Sequence, residues 1–367
     1  MYDVRLERLA KVLVHYSLET TPGQLFRIVS PTNAAPLIKA VYHEAVVAGA
    51  NPLMRLSLDG LDEIFFKNAR DAQLDYVPQL SRDEIEQVDV HLSILADENT
   101  RALSGVDPKK VAKRRTAMSP VQKRMMERAA NGDFRWVLTL YPTAALAQEA
   151  DMSLADYTEF VFAAGKLNEA DPVAAWQIQK REQARIIERL QTADHIHIVG
   201  PGTDLHYYVN GRTWVNCAGD RNFPDGEVFT GPEETKTSGH ITYSFPALYM
   251  GREVTGVRLE FVDGKVVKAT ADKGEELLHS LLDMDEGARR LGEVAFGTNY
   301  GIQRFSRNIL FDEKIGGTVH LALGAAYPET GCHNQSALHW DMICDLRSGG
   351  EVFADGQLIH KDGKFLI

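Results

Sequence analysis

The stretch Arg189-Leu190-Gln191-Thr192-Ala193-Asp194-His195-Ile196-His197-Ile198-Val199 is where the texture of this chain changes. Upstream of it, apolar residues recur at helical spacing. Pro172, just after Asp171, suits the first turn of a helix, and the pattern then runs to about Leu190. Lys180, Arg181, Glu182, Arg185, Glu188 and Arg189 give that helix a charged face, as expected of a solvated or domain-bridging element. Downstream, apolar residues alternate or run in short blocks divided by Gly, Asp and Asn. Tyr207-Tyr208-Val209 precedes Asn210-Gly211, and residues 257–262 precede Asp263-Gly264 and Val266-Val267. Asn-Gly and Asp-Gly between β-rich runs predict hairpins. One helix is expected to interrupt these strands, over residues 273–291.

Working back from the boundary, helical and strand patterns alternate. Helices are expected over residues 4–18, 34–47 and 106–130, with strands over 24–29, 53–58, 88–94 and 134–140. Such alternation predicts a parallel sheet covered by helices. The fold expected is therefore an α/β N-terminal domain over residues 1–190. It is followed by an α+β, strand-rich C-terminal domain over residues 191–367, where most of the histidines and the candidate metal-binding residues fall.

Composition excludes several classes. The chain has 367 residues, long enough to bury a core without staples. Its three cysteines, Cys217, Cys332 and Cys344, make no Cys-x-x-Cys pair, so neither a disulfide framework nor a zinc knuckle is indicated. Charged residues near the N-terminus oppose a signal peptide, and no apolar run reaches membrane-spanning length. A cytoplasmic protein is expected. The net charge of −11 argues against nucleic acid as a partner. The basic run at Lys109-Lys110, Lys113-Arg114-Arg115 and Lys123-Arg124 is read as a solvated helix face.

Histidines are uneven: His15, His43 and His91 lie before residue 190, and the other nine lie after it. In His339-Trp340-Asp341, a strand would put His339 and Asp341 on one face, able to reach one ion together. His320 stands in the apolar run His320-Leu321-Ala322-Leu323-Gly324 and is either a hydrogen-bonded core histidine or a ligand. Glu293 is expected at the C-terminal end of the 273–291 helix, where the helix dipole disfavours a carboxylate and a cation would compensate it. Glu227 follows the turn Pro224-Asp225-Gly226 at the start of a strand, placed to project into a cleft. Glu313 lies on a turn before Gly316-Gly317. Neither HExxH nor a P-loop nor GxSxG is present, and Leu205 breaks a dinucleotide fingerprint that Gly200-Pro201-Gly202 begins.

Taken together, Gly202-Thr203-Asp204-Leu205, the Pro224–Thr230 stretch, Leu291-Gly292-Glu293, the His320 run with Tyr327, and His339-Trp340-Asp341 resemble the thermophilic-aminopeptidase family of metallopeptidases, of the aminopeptidase T and S type. The resemblance implies a homodimeric metalloaminopeptidase that holds two divalent ions (zinc, cobalt or manganese) and acts on peptides. It implies Glu227, Glu293, Glu313, His320, His339 and Asp341 as metal ligands and Tyr327 as a residue of the active site. Peptide hydrolysis needs an activated water and a polarised carbonyl, which two close divalent ions supply together. Tyr327 suits a donor to the developing oxyanion, and Glu293 or Glu313 suits the proton transfer. The competing expectation is a mononuclear non-haem Fe(II) ring-cleaving dioxygenase of the dihydroxypyridine type on the same fold, for which His-His-Asp would suffice. The acids Glu227 and Glu293 argue against it.

Overall fold

The computed structural model describes residues 3–366. They divide into two compact units, residues 3–173 with 219–224, and residues 174–218 with 225–366.

In the first unit a five-stranded sheet has the order Asn51–Ser57, Leu25–Pro31, Val90–Leu95, Arg135–Leu140, Asn222–Phe223. Every neighbouring pair is parallel. That is what the β-α alternation predicts, since parallel strands require crossovers and bury both faces. The helices Ala35–Val47 and Pro108–Ala130 lie where the sequence places them. The first helix runs as α over Val4–Lys11 and continues as a wider π-turn over Val12–Ser17. The basic face of the 108–130 helix is taken up locally. Lys113 pairs with Asp71 and Asp75, Arg124 with Glu86, and Lys110 caps the carbonyls of Phe66 and Ala69.

The second unit holds two large antiparallel sheets and a small two-stranded one, Ala247–Tyr249 with Arg252–Val254, with one apolar core. An eight-stranded sheet includes His195–Gly200, Thr203–Tyr208, Ser238–Thr242 and Glu351–Ala354. A five-stranded sheet has the order His339–Asp345, Thr318–Gly324, Leu291–Gly297, Glu227–Thr230, Val215–Cys217. The long helix Pro172–Leu190 begins at its proline, as expected. Its Gln179 and Gln183 are buried, which the charged pattern does not reveal. Gln183 donates to the carbonyls of Glu227 and Cys217 (2.7 and 2.9 Å), and Gln179 donates to the Thr298 carbonyl (3.1 Å).

Two expectations need correction. The helix expected over 273–291 is much shorter, spanning Glu275–Leu282, with a single 3-10 turn at Gly287–Arg289. Asp285 stops it by accepting from the Ala288 and Ala337 N–H groups and from Ser336 Oγ (2.9, 2.7 and 2.7 Å). Leu291 then opens a strand, so Glu293 lies mid-strand and meets no helix dipole. Asn210-Gly211 does turn the chain, with Arg212 N–H bonded to the Val209 carbonyl at 3.0 Å, but it joins no hairpin. The strand before it belongs to the eight-stranded sheet and the strand after it to the five-stranded one. A turn signal fixes local direction and leaves the pairing partner to the core. Asp263-Gly264 does close a hairpin, between Arg258–Val262 and Lys265–Thr270.

Candidate metal centre

Register decides which side chains of the five-stranded sheet share a face. Ala295 lies opposite His320, Ala322 opposite both Glu293 and Asp341, Gly324 opposite His339, and Gly297 opposite Glu227. All five donors therefore project from one face. Val294, Phe296, Leu321, Leu323, Trp340 and Met342 project from the other, into the apolar core. Each donor also faces an alanine or a glycine on a neighbouring strand. Five long polar side chains converge only where the intervening positions are small.

Glu293 reaches this face through a one-residue irregularity. Leu291 pairs with Leu323, yet Glu293 pairs with Ala322, so Gly292 is the extra residue of a bulge. Without the bulge Glu293 would stand opposite Leu321 and point into the core, because a one-residue slip flips a strand's faces. Only glycine fits there: a Cβ on Gly292 would lie 2.3 Å from the Gly324 carbonyl oxygen.

The donors form overlapping triads. Glu227, Glu293 and His320 bring ligand atoms within 4.8 Å of one another, as do Glu293, His339 and Asp341, and Glu313, His320 and Asp341. Glu293 belongs to the first two. Its Oε1 lies 3.5 Å from His320 Nε2 and its Oε2 lies 3.5 Å from His339 Nε2. His320 Nε2 is also 3.3 Å from Glu227 Oε2, and His339 Nε2 is 3.5 Å from Asp341 Oδ2. His339 Nδ1 lies 2.8 Å from the Ala325 carbonyl oxygen, which can only accept. Nδ1 therefore carries a hydrogen, and Nε2 is directed at the carboxylates, the orientation in which a histidine binds a metal.

Charge and burial make these residues a poor structural cluster. Glu227, Glu293 and His320 are all buried. Both nitrogens of His320, Oε2 of Glu227 and Oδ1 of Asp341 are buried with no hydrogen-bond partner. Such atoms are costly unless something else satisfies them. Burial raises the Glu227 carboxyl well above its usual range, although Lys314 pulls the other way. Asp341 is raised by burial to about 6, with His339 opposing. For His320 burial disfavours the charge, but Glu293, Glu227 and Glu313 outweigh it and raise the imidazole to about 9. His339 is raised in the same way, Asp341 and Glu293 prevailing over burial. The donor set fits a divalent transition metal: orphaned imidazole and carboxylate atoms, aimed at common points, suit zinc, manganese, cobalt or iron.

Sequence reasoning missed Lys314. Its side chain is fully buried, ion-paired with Glu313, and its Nζ lies 3.7 Å from Glu227 Oε1. Burial alone would discharge it, but the carboxylates of Glu227, Glu313 and Asp225 hold the ammonium well above its usual range. Glu313 follows the short helix Ile309–Asp312. Tyr327 packs edge-on against His339 (centroids 5.2 Å apart) and against Phe229 (5.4 Å). It is 42% exposed as a residue, and its phenol feels the carboxylates of the site. Burial of that end, then the charges of Glu293 and Asp341, raise it above its ordinary value, so it stays protonated at neutral pH.

Comparison with known proteins meets this geometry from another side. A family model described as thermophilic metalloprotease (M29) matches residues 2–365. The chain is 32% identical to "Aminopeptidase 2" of Geobacillus stearothermophilus, over 99% of this chain and 96% of that one. It is 29% identical to "Aminopeptidase T" of Thermus thermophilus, over 88% and 85%. The solved structure of wild-type AmpT from Thermus thermophilus superposes with a TM-score of 0.87 at 26% identity, covering all of both chains. These matches give no support to the dioxygenase reading.

Proposed function

Because this chain belongs to the thermophilic metalloprotease family, M29, we propose that it is a metal-dependent aminopeptidase that releases N-terminal residues from peptides at a two-metal site. The observation that carries the reading is the pair of triads sharing Glu293, each oxygen of which faces a different histidine. Glu227, Glu293 and His320 would hold one ion. Glu293, His339 and Asp341 would hold the other, with Glu313 beside both. Zinc, cobalt and manganese all suit this donor set.

Charge favours two ions over one. Glu227, Glu293, Glu313, Asp341 and Asp225 against Lys314 leave a formal charge of about −4 in a buried site. One dication leaves it negative, the wrong sign for an oxyanion. Two neutralise it. When bound, the ions supply Lewis-acid polarisation of the scissile carbonyl and a more acidic water.

The chain's own residues do the rest. Tyr327, protonated and open to substrate, donates a hydrogen bond to the oxygen that becomes negative. Glu293 is committed at both oxygens. Glu313, the more exposed of the glutamates (15% against 8% for Glu227 and 6% for Glu293), takes the proton from the attacking water and returns it to the leaving amine. The free α-amino group of a peptide, once deprotonated, would ligate one of the ions, which sets the cut at the N-terminus. Lys314 anchors Glu227 and Glu313 at fixed positions. The homodimer and the cytoplasmic location expected from sequence belong to the same proposal. Light scattering would give twice the 40.8 kDa chain mass.

The test is hydrolysis of leucine p-nitroanilide beside its N-acetylated counterpart. The free amine is cleaved, the blocked one is not, chelation abolishes cleavage and a divalent ion restores it. Equal cleavage of both substrates, or full activity after exhaustive chelation, would refute the reading.

A further inference from the structure

The eight-stranded sheet carries a second group of metal-type donors that shares no residue with the centre above. On the His195–Gly200 strand, His195 and His197 alternate with the buried Ile196 and Ile198, so both stand on the outer face. On the antiparallel strand Thr203–Tyr208, Asp204 and His206 alternate with the buried Leu205 and Tyr207. His197 lies directly opposite His206 in register.

The side chains then converge. His197 Nε2 lies 2.7 Å from Asp204 Oδ1, and His206 Nε2 lies 3.4 Å from the same oxygen. His206 Nδ1 lies 3.0 Å from His195 Nε2. The rings of His197 and His206 stack with centroids 3.9 Å apart, those of His195 and His206 5.1 Å apart. Ligand atoms of His197, Asp204 and His206 all fall within 4.8 Å of one another. His240 sits opposite Asp204 on the next strand. Side-chain exposures of 26%, 38% and 56% for His197, His206 and Asp204 leave the group open to an ion from solution.

We propose that His197, His206 and Asp204, with His195 at their edge, form a second and non-catalytic metal site on the outer face of this sheet. Two imidazoles and one carboxylate select a borderline transition dication such as Zn²⁺ or Ni²⁺ over Mg²⁺ or Ca²⁺. Burial and the neighbouring histidines lower the proton affinity of His206 and of His195, so both rings are neutral and free to ligate at pH 7. A bound ion ties two adjacent strands together and stabilises the folded state by mass action.

The experiment uses the untagged full chain carrying the ions it retains on purification. Zn²⁺ and, separately, Ni²⁺ are titrated by calorimetry into the wild type, the double variant His197→Gln/His206→Gln, the single variant Asp204→Asn, and a control, His279→Gln, at an exposed helical histidine. The wild type and the control take up one further equivalent. The double variant takes up none while cleaving leucine p-nitroanilide at the wild-type rate, and Mg²⁺ gives no heat in any of them. Asp204→Asn, at a side chain 56% exposed, weakens uptake without touching the fold and serves if the double variant is unstable. Equal uptake by wild type and both site variants would overturn the proposal. So would equal loss in the His279→Gln control, or equal binding of Mg²⁺.

Discussion

His91, in the parallel sheet of the first unit, and His320, in the five-stranded sheet of the second, are both buried histidines on strands. Their surroundings differ in one respect. His91 Nδ1 accepts from Arg27 Nε at 3.0 Å, and its Nε2 meets Ser93 Oγ at 2.9 Å. Arg27 in turn pairs with Glu84, which also holds Arg55. Every partner is present, and burial together with the Arg27 charge lowers His91 to about 3. His320 has no hydrogen-bond partner on either nitrogen, stands among carboxylates, and is raised to about 9. Burial is common to both and therefore does not mark function. Unsatisfied donors in a like-charged cluster do, because folding does not retain them without a use.

The sharpest way to break this comparison is to remove the centre's geometry without removing a donor. Gly292→Val puts a Cβ 2.3 Å from the Gly324 carbonyl oxygen, which the bulge cannot accommodate, so Glu293 is displaced from its place on the donor face. Activity on leucine p-nitroanilide falls by roughly 10³-fold or more, since metal catalysis supplies several kcal/mol and each 1.4 kcal/mol is tenfold. His320→Ala does the same. A Gly292→Val variant that keeps near-normal activity and metal would show that the bulge does not position the shared ligand. Tyr327→Phe comes next: kcat falls by roughly 10²–10³, as for loss of one oxyanion donor, with metal content unchanged. Loss of metal in that variant would move the phenol from donor to support of the ligands.

How much of this was legible in the sequence follows from what each signal encodes. The parallel sheet could be read because helical and strand periods alternate and parallel strands need crossovers. The five donors of the centre could be named because their motifs are local: His339-Trp340-Asp341 needs only the two-residue period of a strand. Glu293 was named for the wrong reason. Its position depends on the Gly292 bulge, and a bulge is a fact about the partner strand. Lys314 was invisible because Glu313-Lys314 reads as an exposed pair of opposite charges. Only the fold places it at zero exposure beside Glu227. The alanines and glycines facing each donor were equally hidden, since their meaning lies in the cross-strand register.

Smaller effects sharpen the same contrast. In the metal-free protein His320 carries a proton below about pH 9, and the metal must displace it. Apparent metal affinity therefore rises by about tenfold per pH unit as the solution approaches pH 9 and levels off above it. Calorimetry across pH 6–10 checks the sign; affinity that is flat with pH would mean His320 is not displaced as a proton carrier. Smallest is the effect at the other histidine. His91→Gln costs about 1–3 kcal/mol of stability through its lost hydrogen bonds, read by denaturant unfolding, and leaves activity and metal content as in the wild type.

The central claim is that Glu293 joins two ions in one site, and the direct measurement is the number of ions per chain and their positions. Elemental analysis of protein purified without chelators, together with anomalous diffraction, is expected to show two divalent ions per chain. One should lie against Glu227, Glu293 and His320, the other against Glu293, His339 and Asp341. A single ion bound by the histidines and Asp341, with Glu227 and Glu293 free of metal, would contradict the account.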